Sequence, residues 1–288
     1  MRQRYIRRTL LGPAVLLVLF SLSGALEGKE PKRKPEELIA RHLAAIGAAE
    51  VRAATTSRIV HGQVHLSIQR GLGGHLEGPA IFLSEGWKHC LFLRFGHPEY
   101  ESERFAFDGD TPYVARSHPG DRSALGEFFY VHDQLLREGL LGGVLSTAWA
   151  LLDIERRQPK LKYDGLKKVE GRKLHQLRYR LKKGARDVRI NLYFEPETFR
   201  HVLTVYRVYL RPKIATSPYL TARRQPTRFK LEETFSNFGQ IDGLILPARW
   251  HIRFTIDAQT TQVWEWEMDF QQIAHNQEID PNYFAMRD

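Results

Sequence analysis

From Ile59 onward, apolar and polar positions alternate with a period of two. Val60, Gly62, Val64, Leu66 and Ile68 point one way, and His61, Gln63, His65 and Ser67 point the other. That is the pattern of a strand covered on one face. Gly71-Leu72-Gly73-Gly74 reads as a hairpin turn, and strand-like runs follow at 80–84, 88–96 and 101–108. Asp108-Gly109-Asp110 makes a further tight turn. Beyond Lys160 the chain is almost all strand. Trp250, Ile252, Phe254 and Ile256 alternate with Arg249, His251, Arg253 and Thr255, and Trp264, Trp266, Met268 and Phe270 alternate with Val263, Glu265, Glu267 and Asp269. Large apolar faces opposite mostly charged ones predict antiparallel strands, ten or eleven in all. No internal repeat stands out.

Two segments break this period. A short amphipathic helix is predicted from about Glu36, with Pro35 before it, Glu36 and Glu37 in its first turn and Gly47 closing it. Leu38, Ile39, His42, Leu43 and Ile46 share one of its faces. Residues 124–150 form an apolar, helix-compatible segment holding Phe128, Phe129, Leu135, Leu136, Leu140 and Leu141, interrupted at Gly142-Gly143. Arg211 to Arg228 is a long stretch with Pro212, Pro218 and Pro226 and many basic side chains.

The first 25 residues have the order of a secretory signal peptide. Arg2, Arg4, Arg7 and Arg8 precede an apolar run from Leu10 to Leu22, and Ser23-Gly24-Ala25 supplies small residues for cleavage. The run is short for a membrane span, although an uncleaved anchor is the alternative. No cysteine stands at the cleavage point, so a lipid anchor is not expected. The organisation expected is a signal peptide over 1–25, a disordered tether over 26–35 and one domain over 36–288, exported to the periplasm. Loss of the four leader arginines lowers the net charge from +10 to +6. That balance suits anionic headgroups or acidic polymers, and export makes nucleic acid an unexpected partner. Cys90 is alone, so the chain builds neither a disulfide within itself nor a thiolate cluster, and a buried thiol is expected.

Catalytic motifs are missing: no Gly-x-Ser-x-Gly elbow, His-Glu-x-x-His helix, phosphate loop or Gly-x-Gly-x-x-Gly turn occurs. His61 and His65 lie roughly 13 Å apart along one strand face, too far to share a metal. Asp108 and Asp110 read as turn residues, with a calcium site as the alternative. Glu232-Glu233 and Glu265 with Glu267 read as solvated strand faces. No catalytic residue, metal or cofactor is expected, and the chain is read as not an enzyme.

Several local segments carry a resemblance that spans the chain in order. They are Glu37-Leu38-Ile39-Ala40-Arg41-His42-Leu43-Ala44-Ala45-Ile46-Gly47, Phe107-Asp108-Gly109-Asp110, Leu140-Leu141-Gly142-Gly143-Val144-Leu145-Ser146-Thr147 and Val169-Glu170-Gly171-Arg172. Asn191-Leu192-Tyr193-Phe194-Glu195-Pro196-Glu197-Thr198, Ile241-Asp242-Gly243-Leu244-Ile245-Leu246-Pro247, and Asn276 with Ile279-Asp280 and Phe284 complete the series. In these the chain resembles the periplasmic lipoprotein-carrier superfamily, the LolA/LolB-like group with its RseB-like relatives. The resemblance implies an incomplete, strongly curved antiparallel β-barrel with a helical lid over an apolar concavity. It also implies binding of lipid or lipoprotein acyl chains without catalysis, and supplies no set of catalytic residues.

The strands carry more bulky inward residues than two helical segments can cover, so the sheet must curl or leave a concave apolar surface. A fully packed core is the alternative. The wall candidates are Leu66, Phe92, Phe128, Leu141, Trp250, Phe254, Trp264 and Trp266, with Gly142-Gly143 as a hinge for a 124–150 lid. The leading expectation is a monomeric periplasmic carrier of lipid or acylated lipoprotein. The second is an envelope sensor that binds an inner- or outer-membrane protein partner, for which 211–228 is the candidate loop. An exported enzyme acting on a polymer is the third.

Overall fold

The computed structural model describes residues 34–69, 74–117, 120–182, 187–210 and 226–285. The leader, nearly all of the tether, most of the first hairpin turn and residues 211–225 of the proline-rich stretch lie outside them.

The described strands are β1 (Ser57–Gln69), β2 (Gly74–Glu85), β3 (Lys88–His97), β4 (Tyr100–Phe107), β5 (Pro112–Val114), β6 (Lys160–Val169), β7 (Arg172–Arg180), β8 (Arg189–Phe194), β9 (His201–Leu210), β10 (Thr227–Ile241), β11 (Leu244–Asp257) and β12 (Thr261–His275). They form one antiparallel sheet in the order β5-β4-β3-β2-β1-β12-β11-β10-β9-β8-β7-β6. Apart from β5 and β6, strands adjacent in sequence pair as hairpins, and the β1–β12 pairing joins the two wings. No described pairing joins β5 to β6, so the sheet is not closed. Twelve strands replace the ten or eleven expected, because β5 and the short β8 carry little alternation of their own.

Alternation decides the faces. In β1, Val60, Gly62, Val64 and Leu66 are buried while His61, Gln63 and His65 are exposed. Gly62 sits at the irregularity between His61 and Gly62, where a Cβ would lie 2.2 Å from the Asp269 carbonyl oxygen. The inner face joins Phe82, Leu91, Phe105, Leu177, Leu192, Phe235, Trp250 and Trp266 into one core that runs the width of the sheet. On the outer face, Leu83, Cys90 and Ala106 are covered by Ile279 and Phe284 from the C-terminal segment. Arg104 clamps that segment through Asn282 O at 3.1 Å and Tyr283 O at 2.8 Å. Cys90 is buried there, and burial pushes its thiol up.

The inner face is covered by two pieces of chain. Helix α1 (Pro35–Ile46) starts on Pro35, carries Glu36 and Glu37 in its first turn, and buries Leu38, Ile39, His42 and Ile46. The short α2 (Ala49–Ala54) leads from it into β1. The second piece joins β5 to β6 and contains α3 (Ala124–Val131), α4 (Gln134–Arg137), a 3-10 turn at Gly143–Leu145 and α5 (Ile154–Arg157). Ser123 caps α3 by accepting the Gly126 N–H at 2.8 Å. Between these short helices the path consists of turns, because glycines at 139, 142 and 143 adopt φ of 66°, 79° and 50°.

Candidate functional site

The inner face and the segment seated on it bring most of the wall candidates together. Leu66, Trp250, Phe254, Trp264 and Trp266 lie on the inner face of β1, β11 and β12, none more than 8% exposed. Register places Leu66 and Ile252 on either side of Trp266, and Phe254 opposite Trp264. Phe128 and Leu141 come from the covering segment, with the Phe128 ring 5.2 Å from that of Phe254. Phe92 does not join them. It shares the phase of Cys90 rather than of Leu91 and Leu93, and sits half-buried on the outer face between Ile81 and Arg104.

The segment is embedded rather than laid over an open space. From Leu125 to Leu151 it contributes Phe129, Leu135, Leu136, Leu140, Leu145 and Trp149 to the core, each at most 1% exposed. Gly142 and Gly143 mark its closest approach to the sheet. A Cβ on Gly142 would lie 2.7 Å from two Phe82 ring carbons, and one on Gly143 would lie 2.9 Å from His201 Nδ1. The pair serves tight packing, which is a different use of glycine from the hinge expected. A pocket of ≈ 50 Å³ lies beside Arg58, Val144 and Trp149.

Hydrogen bonds from buried polar groups tie this segment to the sheet. Glu233, fully buried on β10, accepts the Gly142 N–H at 2.9 Å and lies 2.6 Å from the Tyr206 hydroxyl, which also reaches the Leu140 carbonyl at 3.3 Å. Burial pushes the Glu233 carboxyl up to about 7. A neutral Glu233 can donate to Tyr206, which then donates to Leu140, so the three groups are satisfied without a buried charge. Tyr179 donates its hydroxyl to Glu138, and Tyr100 donates to Glu103, whose carboxyl burial also raises to about 7. At the other end Arg58 donates to the Val144 carbonyl at 2.7 Å and to His275 at 3.0 Å, while His275 meets Asp242 at 2.8 Å.

A third tie runs through α1. His42 faces the Phe199 carbonyl with Nδ1 at 3.0 Å and accepts the Trp149 indole N–H on Nε2 at 3.1 Å. Those partners assign the neutral tautomer with the proton on Nδ1. Burial lowers the ring to about 4, in keeping with that state. His201 stacks on Trp149 at 4.8 Å and pairs with Thr204 at 2.9 Å.

Reading Glu232-Glu233 as a solvated pair missed Glu233. The signal was present, since Glu233 keeps the phase of Phe229, Leu231 and Phe235 and so had to point inward. Asp108 is a turn residue, accepting the N–H groups of Asp110 at 2.9 Å and Thr111 at 2.7 Å. His61 and His65 are exposed. Among the described residues no three His, Cys, Asp or Glu side chains converge as metal ligands, and no helix is long and apolar enough to cross a membrane.

No family model and no curated protein matches the sequence. The chain aligns remotely with several solved structures. A LolA superfamily protein from Nitrosomonas europaea aligns at a TM-score of 0.45 and 10% identity, over 88% of this chain and 98% of that one. An outer membrane lipoprotein-sorting protein domain from Vibrio parahaemolyticus aligns at 0.43 and 11%, with the same coverage. A chain of the Pseudomonas aeruginosa MucA/MucB complex aligns at 0.22 and 9%, over 85% of this chain and 99% of that one.

Proposed function

We propose that this chain is an exported, non-enzymatic carrier that shields an acyl chain of a lipid or lipoprotein on the inner face of a strongly curved half-barrel. The observation that carries the reading is the nature of what occupies that face. Besides α1, it is one segment of short turns, its longest helix only eight residues. Its buried ties to the sheet include Glu138, Glu233 and Arg58 as well as apolar contacts. Removing it would uncover an aromatic wall of Phe82, Trp250, Phe254, Trp264 and Trp266.

Curvature follows from side-chain reach. Phe82 on β2 and Trp250 on β11 are three strand spacings apart, roughly 14 Å in a flat sheet, yet their ring centroids are 5.4 Å apart. A sheet curled about this face brings them together. An acyl chain held there gains about 0.8 kcal/mol per buried methylene, from which the energy of displacing the segment is subtracted. The grip is therefore reversible, as transport requires. Of the wall candidates, Phe128 and Leu141 would move with the segment and Leu66, Trp250, Phe254, Trp264 and Trp266 would stay; Phe92 has no part in the wall. Periplasmic localisation belongs to the same reading, through the leader over 1–25.

The test is native mass spectrometry of the exported protein with lipid extraction, paired with hydrogen exchange in the presence of a fluorescent fatty acid. The expected result is a stoichiometric acylated molecule and faster exchange of the amides over 124–151 when the probe binds. Absence of cargo together with no probe uptake overturns the carrier. The second reading, a module that binds a membrane-protein partner, is favoured by the filled inner face and would then take its place.

A further inference from the structure

The outer face carries a charge arrangement that the inner face does not explain. On β11 and β12, cations and anions stand opposite each other: Arg249 faces Asp269 and Arg253 faces Glu265, with N–O distances of 2.7 and 3.6 Å. Across β8, β9 and β10 the register instead sets Arg189 opposite Arg207, and Arg207 opposite Lys230. On β6 and β7, Lys160 stands opposite Arg180. Like charges directly opposite on adjacent strands destabilise a sheet, so this rank is an expense that folding alone does not require.

The nearby acids are already engaged. Asp257 pairs with Arg228 at 3.8 Å, Glu232 with Lys230 at 2.6 Å, and Asp187 faces His132 at 4.0 Å. Among the described residues, Arg189 and Arg207 meet no carboxylate. The connecting stretches 183–186 and 211–225 contain six further basic residues and no Asp or Glu, so neither supplies the missing anions. Arg189, Arg207, Arg228 and Lys230 edge a groove of ≈ 650 Å³ at this end of the sheet. Beside them on the same face of β9 stands Tyr209, 49% exposed, with the Arg228 guanidinium 5.9 Å from its ring.

We infer that this end of the outer face docks on a bilayer surface rich in anionic phospholipid, with Arg189 and Arg207 taking the phosphate headgroups and Tyr209 entering the interface. Charge complementarity selects an anionic occupant. The exposed Tyr209 ring among the cations favours a lipid surface over an acidic peptide, which needs only the charges. Arginine suits the role because its planar donors pair with phosphate oxygens two at a time. The site is separate from the inner face and does not depend on acyl-chain binding there.

The experiment is co-sedimentation of the purified protein with phosphatidylcholine vesicles, with and without about one-third phosphatidylglycerol. The unmodified protein is expected on the anionic vesicles and not on the neutral ones. Arg189→Gln with Arg207→Gln should weaken that partition about thirty-fold, at about 1 kcal/mol per cation near the surface. Its melting temperature should hold or rise, since a repulsion is removed, and its uptake of a fluorescent fatty acid should match the unmodified protein. If the double variant is not recovered folded, each single variant is read the same way. Arg249→Gln with Arg253→Gln removes the same net charge from the paired ladder and should change partition less than twofold. Equal loss in both double variants, binding to neutral vesicles, or binding to polyglutamate without binding to anionic vesicles each overturns the proposal.

Discussion

A carboxyl group closed away from water at position 233 makes part of this protein's stability depend on pH. Burial raises the folded group to about 7 from an ordinary 4.5. Between those values the folded state keeps a proton that the unfolded chain releases. The stabilisation from Glu233 is therefore complete below about pH 4.5, falls as pH rises to about 7 and is level above. Glu233→Gln retains an acceptor for the Gly142 N–H and removes the titration. The melting temperature of the variant minus that of the parent should climb between pH 4.5 and 7 and then stay flat. A difference that is constant across this range would mean that Glu233 does not hold its proton in the fold. The buried histidines act in the opposite direction. His42 and His89, lowered by burial to about 4 and about 3, cost stability as pH falls below 6.5. They titrate alike in parent and variant, so the difference isolates Glu233.

At the level of elements, α1 and the embedded segment are coupled by the Trp149 to His42 hydrogen bond. Trp149→Phe leaves His42 Nε2 buried without its donor, at a cost of about 1–3 kcal/mol. Placing His42→Leu in the same chain removes the orphaned acceptor. Chemical denaturation of the two single variants and the double should show the double losing less than the sum of the singles. Strict additivity would mean that the two elements dock independently. The period-two pattern made the strands readable, because each long strand has one face against a core and one against water. The segment over 124–150 was readable as apolar and no further. An embedded piece is apolar all round, so no phase in its sequence tells whether it forms one long helix or several short turns.

For the molecule as a whole, the open sheet leaves two edges, and both are blunted. β5 has three residues and begins on Pro112, which cannot donate to a neighbouring strand. β6 carries Lys160, Lys162, Lys167 and Lys168 and is irregular between Tyr163 and Leu166. Light scattering after size exclusion should report a monomer, and Lys162→Val with Lys167→Val should shift it toward larger species. A variant that stays monomeric would assign edge protection to the irregularity instead.

The sequence by itself determined the antiparallel strands, the inward phase of Leu66, Trp250, Phe254, Trp264 and Trp266, the first helix with its proline start, and the turn at Asp108. Each is set by neighbours within a few residues, through alternation, capping and backbone freedom. The tertiary structure alone decided that the 124–151 segment sits against those side chains, that Gly142 meets Phe82, and that His42, Trp149 and His201 assemble. It also decided that Phe92 faces outward, where the register of β3 puts it in phase with Cys90. Those contacts join positions far apart in the chain, and no local pattern encodes which distant side chain will meet another once the sheet has folded.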